Sequence, residues 1–306
     1  MANRRIVVGL LSEDQEFQRL QGSDARAAGK RHGLDIEVVY AANNSVVQIQ
    51  QLFNHINRPQ GRPIAIIVET VAGEGLERVA RAATDAGIGW ILINRHVPYI
   101  EVLRRERPHM PVSIVGTDQV GVGRIQARQI RACIPSGRGT VLYIQGPADT
   151  SAARERLKGA QEGLSGSGIS LKILDGNWSE ASGESTIQRW LRLKTAEEER
   201  PAMIACQNDA MAVGARRAIL AVASTRPELA RIPLTGCDGV PEGGQRLVNM
   251  QHLVATVITP SNTGPAVDLV ARMAQTRQAP PAELLLKPVS YPPEAEISKR
   301  LKTLLK

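Results

Sequence analysis

The sequence predicts an α/β protein of two lobes, each a parallel sheet covered by helices. Three observations carry this expectation. Short β-branched runs alternate with amphipathic stretches of helical length along nearly all of the 306 residues. Those runs are apolar at successive positions rather than alternate ones, the pattern of strands buried on both faces. There are about ten of them, more than one sheet of this kind usually takes, so two sheets of about five or six strands are expected.

The strand-like runs cover residues 6–11, 36–40, 64–68, 90–93, 113–115, 140–144, 171–174, 202–205, 234–236 and 254–258. After the first, Leu20, Ala27, Ala28 and Arg31 show helical spacing, and Val79, Ala80, Ala83 and Ala86 repeat it later. Gly33, Gly87 and Gly168 fall where helix C-caps are expected. The last stretch, 292–306, reads as a short helix with Ile297, Leu301 and Leu304 on one face. Crossings between lobes are expected near Thr117-Asp118, Thr259-Pro260 and Lys287-Pro288, which gives one lobe of 1–117 plus 260–287 and another of 118–259 plus 288–306. In such units the ligand sits at the carboxyl ends of the strands.

Composition narrows the function. Hydrophobic content is 42% and charged content 22%, ordinary for a globular chain. No apolar run approaches the roughly 18–20 residues that span a bilayer, so the chain is not expected to cross a membrane. The N-terminus runs from Met1-Ala2-Asn3-Arg4-Arg5 straight into the first buried strand. Ser12-Glu13-Asp14 follows where a small-residue cleavage site would stand, so no signal peptide is read there. The expected compartment is the cytoplasm, or the periplasm if a leader has been removed. The net charge of +8 would permit contact with nucleic acid. Its basic residues are scattered, however, and with 3% aromatics there is little to stack on bases, so no nucleic-acid partner is expected. Cys133, Cys206 and Cys237 are too few and odd in number for a disulfide framework.

Several chemistries are missing. Gly121-Val122-Gly123 lacks the third glycine of a dinucleotide loop, and Gly29-Lys30 lacks the rest of a P-loop. No Gly-x-Ser-x-Gly elbow occurs. His32, His55, His96, His109 and His252 have no metal-ligand spacing and read as surface or loop residues. No cofactor, no metal and no catalytic group is expected.

Four polar segments stand at strand carboxyl ends instead: Asn94-Arg95, Thr150-Ser151-Ala152-Ala153-Arg154-Glu155-Arg156, Gln207-Asn208-Asp209 and Cys237-Asp238-Gly239. Asn208 or Asp209 could cap a helix, and Asp238-Gly239 could form a turn. Arg154, placed in a first helical turn, opposes the helix dipole. A guanidinium aimed into a cleft holds two hydroxyls in a fork. Asn and Asp add the mixed donors and acceptors that polyol hydroxyls require.

From residue 6 to about 289 the chain resembles the periplasmic sugar-binding proteins of the ribose-binding type and the related effector domains of LacI-type repressors. The likeness rests on the Thr150 to Arg156 segment, on Asn208-Asp209-x-Met211-Ala212 and on Asp238-Gly239 at family spacing. It implies the type I periplasmic-binding-protein fold, with two Rossmann-like lobes, three hinge crossings and a sugar or polyol between the lobes. It also implies roles. Phe17 and Trp178 would stack on the ring, Gln15 would hydrogen-bond the ligand, and Arg95, Arg154, Asn208 and Asp238 would hold hydroxyls. Arg154→Ala would weaken binding by roughly 2–4 kcal/mol.

The departures are Gln18 for a second phenylalanine, Glu69 for a ligand-side Asn, Asn94 for the usual Asp, Cys237 for an aromatic and Thr259 for the hinge Gln. Glu69 stands either beside the ligand or in a solvated loop. Ribose itself is not the expected ligand; another pentose, a hexose, an inositol-like polyol or an amino sugar is. The implied role is solute binding for an ABC transporter, with its membrane subunits as partners. The alternatives are effector sensing as in LacI-type regulators, a solitary intracellular binder, or an α/β enzyme acting on a sugar.

Overall fold

The computed structural model describes residues 4–72, 75–193, 200–276 and 278–304. The chain divides into two compact units: residues 1–117 with 261–286, and residues 118–260 with 287–306. It therefore passes from one to the other after Thr117, Pro260 and Leu286.

The first unit is built on a six-stranded parallel sheet. Its strands are β1 (Arg5–Leu10), β2 (Asp35–Tyr40), β3 (Ala65–Val68), β4 (Gly89–Ile93), β5 (Val112–Thr117) and a late strand, Glu283–Leu286. The order is late strand, β5, β4, β3, β1, β2. Successive side chains of each strand enter different cores. Val7, Ile66 and Trp90 join Leu52, Val79 and Leu103 on one face, from helices Ser45–Ile56, Glu77–Asp85 and Tyr99–Glu106. Ile6, Val8 and Ile67 join Ala25, Ala28 and Val267 on the other, from helices Glu16–His32 and Thr263–Thr276. Burial on both faces is why the strands read as continuous apolar runs.

The second unit repeats the plan. Strands β6 (Arg138–Gln145), β7 (Gly168–Asp175), β8 (Met203–Cys206) and β9 (Leu234–Thr235) form a parallel sheet in the order β7, β6, β8, β9. Strand β10 (Thr256–Ile258) continues beyond β9 through the bridges Thr235–Ala255 and Asp238–Ile258. It pairs antiparallel with Val289–Tyr291. Two apolar clusters again cover the sheet. In both units the order reverses beside the first strand, between β1 and β3 and between β6 and β8. Such a switch point leaves a crevice at the carboxyl ends of the strands.

Helix packing in the second unit brings backbone onto backbone. A Cβ on Gly123 would stand 2.0 Å from the Arg156 carbonyl oxygen, and one on Gly159 would stand 2.1 Å from that of Val120. Helices Gln119–Cys133 and Ser151–Leu164 thus cross with no side chain between them. Gly183 and Gly214 make a second crossing of the same kind between helices Glu180–Leu191 and Asp209–Ala221.

Some local expectations change. Helix Glu16–His32 buries Gln18, Gln21, Ala25 and Ala28 rather than a stripe through Leu20, Ala27 and Arg31. The glutamines are buried because they are bonded: Gln21 Oε1 accepts from the Asn262 and Thr263 amides that start helix Thr263–Thr276. Gly168 opens β7, and Gly166, with φ +73°, takes the left-handed position instead. His55 is a buried helix residue, not a surface one. Ile297 and Leu301 of helix Glu294–Leu304 are buried, while the side chain of Leu304 lies outside the described residues.

Candidate functional site

Each unit gathers polar side chains at the carboxyl ends of its strands, and the two groups are described in turn. In the first unit, Glu69 directly follows β3 and is 1% exposed, which removes the solvated-loop reading. Its Oε2 accepts from Gln18 Nε2 at 2.9 Å, and its Oε1 accepts from Asn94 Nδ2 at 2.8 Å. The Arg95 guanidinium lies 3.8 Å away, and its Nη1 donates to the Thr70 carbonyl at 2.6 Å and the Val71 carbonyl at 2.9 Å. Gln18 Oε1 in turn accepts from the Leu11 amide. A buried carboxylate requires such company, because an unpaired charge is costly there. Glu69 therefore organises Gln18, Asn94 and Arg95 into one rigid cluster.

Gln15 and Phe17 differ from these. Gln15 is the N-cap of helix Glu16–His32, yet its side chain makes no capping bond. Phe17 is half-buried and belongs to neither apolar cluster of the unit.

In the second unit the arginine at the site is Arg156, not Arg154. Arg154 is exposed, and its guanidinium donates to the carbonyl of Ala148. Two residues on, the helix has turned by about 200°, since each residue adds roughly 100°, and Arg156 is 4% exposed. Its Nε donates to Gln119 Oε1 at 2.8 Å, and its Nη1 donates to the Gln207 carbonyl. Its guanidinium stands 3.7 Å from Asp238 Oδ1 and 5.5 Å from the centroid of the Trp178 ring. The motif Ala152-Ala153-Arg154-Glu155-Arg156 offers two arginines on different faces. The missed signal was the helical period counted from Ala152 and Ala153, both buried.

Asn208 has the capping role that was one of its two readings. Its Oδ1 accepts from the Met211 amide at 2.9 Å, and its Nδ2 donates to the Trp178 carbonyl at 2.9 Å. The cap thereby fixes the loop that carries the indole. Asp209 is structural as well, accepting from the Gly239 amide and the Thr256 hydroxyl. Gln207, which the sequence placed in the same strand-end segment as Asn208 without giving it a role, is fully buried. Its Oε1 accepts from the Gly146 amide, and its Nε2 donates to the Ala153 carbonyl and to Tyr143 Oη. Thr259 is buried, and its amide and hydroxyl both donate to the Asp238 carbonyl. Cys237 is fully buried, and burial raises its thiol pKa.

Three of these residues carry strained backbone. Asn94 has φ +61°, Trp178 +69° and Asp238 +104°. Non-glycine residues avoid this region, and a bulky residue such as Trp is unusual in it. Such strain persists where the surroundings enforce it, and it gathers at ligand sites. The Trp178 Nε1 is buried without a hydrogen-bond acceptor among the described residues. No group of three or more His, Cys, Asp or Glu able to hold a metal occurs among the described residues.

Comparison with known proteins identifies the family. The model of the periplasmic binding protein domain matches residues 6–275. The galactofuranose-binding protein of Escherichia coli (strain K12) is 23% identical over 274 residues, covering 88% of this chain and 82% of its own. The ribose import binding protein of the same organism is 28% identical over 235 residues, 76% of this chain and 71% of its own. Among solved structures, a Caulobacter myo-inositol binding protein bound to myo-inositol superposes with a TM-score of 0.79 at 22% identity, covering 98% of this chain and 97% of its own. A solute binding protein of an ABC transporter from Actinobacillus succinogenes, with bound D-allose, gives 0.81 at 19%, covering 98% and 99%. These structures share the type I periplasmic-binding-protein fold with this chain. The chain belongs to the periplasmic binding protein family.

Proposed function

We propose that the protein binds a small sugar or cyclic polyol without transforming it, as the solute-binding component of an ABC transporter. The observation that carries this reading is the Arg156 guanidinium placed over the Trp178 ring and beside Asp238. A sugar has an apolar ring face and a rim of hydroxyls that each donate and accept. An indole takes the first, and an arginine–aspartate pair takes the second. The buried Trp178 Nε1 adds a donor for one ligand oxygen. The first unit offers ligand groups of the same chemistry at its own strand ends, in Phe17, Gln15, Asn94 and Arg95. Glu69, saturated by Gln18, Asn94 and Arg95, positions those groups rather than meeting the ligand.

A ligand shifts a conformational equilibrium only in proportion to its differential affinity for the states. The membrane subunits of the transporter read the liganded form, and the compartment is the periplasm. No helix among the described residues is long and apolar enough to cross a membrane.

The test is a thermal-shift panel of pentoses, hexoses, furanose sugars, myo-inositol, xylitol, glycerol, amino sugars and amino acids, followed by calorimetry. A ligand of the folded state raises the melting temperature by mass action. A sugar or polyol hit with one-to-one stoichiometry is expected. Silence across the sugars together with an amino-acid hit would refute the reading.

A further inference from the structure

The second unit has a hollow at the end of its sheet opposite the candidate sugar site. It is lined at the amino end of β9 by Arg231, Ile232, Pro233 and Leu234, and by Val254 just before β10. Arg216, from the second half of helix Asp209–Ala221, and His252 line both it and an adjoining hollow of about 320 Å³. The first hollow measures about 100 Å³ by itself, and only together with the second does the space reach the range of small-ligand sites. The site residues Asn208 and Asp238 follow the carboxyl ends of β8 and β9, so the two places lie at opposite ends of the same strands.

The chemistry of the lining is one-sided. Arg216, Arg217, Arg231 and His252 contribute to it, and no carboxylate does. Arg217 is neutralised by Glu180 and Glu184. Arg216 and Arg231 make no ion pair with a described residue. Between them the wall is apolar: Ile232, Leu234 and Leu301 are buried, while Leu220 is 43% exposed at the rim. Gln251, held at φ +61°, turns the chain so that His252 joins the wall. We propose that this hollow binds an amphipathic anion, a carboxylate head on an apolar chain, with Arg216 and Arg231 at the head and Ile232, Leu234 and Leu301 along the chain.

The geometry supplies both recognition elements: two uncompensated guanidinium groups for the head and aliphatic surface for the tail. His252 reports on occupancy. Burial, and then the charge of Arg216, hold its pKa below the ordinary histidine value. A bound carboxylate offsets that charge and moves the pKa up.

The test titrates octanoate into the full chain, following His252 by NMR and the melting temperature in parallel, with 1-octanol and acetate as comparators. Octanoate is expected to saturate with a dissociation constant of about 1 mM or below, to raise the His252 pKa and to raise the melting temperature. Both comparators should bind at least about tenfold more weakly, a difference of about 1.4 kcal/mol. The double variant R216Q/R231Q should lose octanoate binding by a similar factor or more, with an unchanged melting temperature when free. Equal octanoate affinity in that variant, equal affinity for acetate, or an unmoved His252 on saturation would each overturn the proposal. If R216Q/R231Q does not fold, the octanoate-to-octanol ratio and the His252 shift in the unaltered chain decide it.

Discussion

Replacing Arg156 and Arg154 separately by alanine tests the assignment of the site arginine. Arg156→Ala removes a buried guanidinium that donates to Gln119 Oε1 and to the Gln207 carbonyl and that stands 3.7 Å from Asp238 Oδ1. Hydrogen bonds from a charged group are worth about 1.5–3 kcal/mol each, and breaking a buried pair costs about 3–5. Part of this returns as the relieved desolvation of Arg156, so a loss of about 3 kcal/mol is expected. Arg154 is exposed with one bond to the Ala148 carbonyl at 3.1 Å, so Arg154→Ala should cost no more than about 0.5 kcal/mol. Urea unfolding followed by tryptophan fluorescence reads both, since Trp178 and Trp190 lie in the unit concerned. Calorimetry with the sugar returned by the panel reads affinity, which should fall about a hundredfold or more in Arg156→Ala and stay within about twofold in Arg154→Ala. A cycle with Asp238→Asn should give a coupling of about 1 kcal/mol. Equal losses in the two alanine variants, or a greater loss at Arg154, would refute the reasoning.

Glu69→Ala should destabilise the chain by about 3 kcal/mol, because the buried Arg95 loses the carboxylate 3.8 Å away and two side-chain amides lose their acceptor; a change in the urea midpoint equivalent to less than about 1 kcal/mol would contradict the clustering role. The three thiols should not react with a disulfide reagent in the folded protein at pH 8, since burial pushes the Cys133 pKa up to about 12 and raises those of Cys206 and Cys237 as well; labelling at the rate of a free thiol would count against it. Burial lowers the pKa of His55, so the unfolded chain binds that proton more readily. Stability should be full above about pH 6.5 and fall as the pH drops through the folded-state value, by at most about 1.4 kcal/mol per pH unit. His55→Gln should flatten that slope, and an unchanged slope would assign it elsewhere. Gly159→Ala should cost about 1–3 kcal/mol by overpacking against the Val120 carbonyl, although alanine favours helices by about 1 kcal/mol; a raised melting temperature would contradict the crossing.

The fold was legible because its signal is long-ranged and repeated. Apolar runs such as Ile64 to Val68 could belong only to strands covered on both faces, and their alternation with helical stretches gave the layered α/β plan. The two late strands were not read, because Glu283–Leu286 and Val289–Tyr291 are edge pieces with exposed positions and flanking prolines. At the site, the positions of Asn94, Arg95 and Asp238 at strand ends were legible in the sequence pattern, and that of Trp178 followed from the resemblance. What their side chains do there did not. Whether Asn208 meets a ligand or caps a helix is decided by one backbone amide, that of Met211. Choosing between Arg154 and Arg156 requires the helix phase, which the buried Ala152 and Ala153 set. Gln207 was read within a strand-end polar segment, but its role stayed hidden because a glutamine's partners are not written in the sequence.

The paired glycines bear on how such a protein can change its ligand. Where helices touch through their backbones, no side chain can shrink or swell to absorb a shift, and the separation of the helices is a constant of the chain. Residues projecting from those helices toward the strand ends then sit on a platform that does not move when their neighbours are exchanged. Under the proposed function, substitution at Trp178 or Asp238 of the same unit alters what is bound while the scaffold keeps its dimensions, so new specificities need not be accompanied by repacking. The same rigidity sets a limit: a ligand that requires the helices to stand further apart is closed to this architecture, however favourable its contacts at the rim.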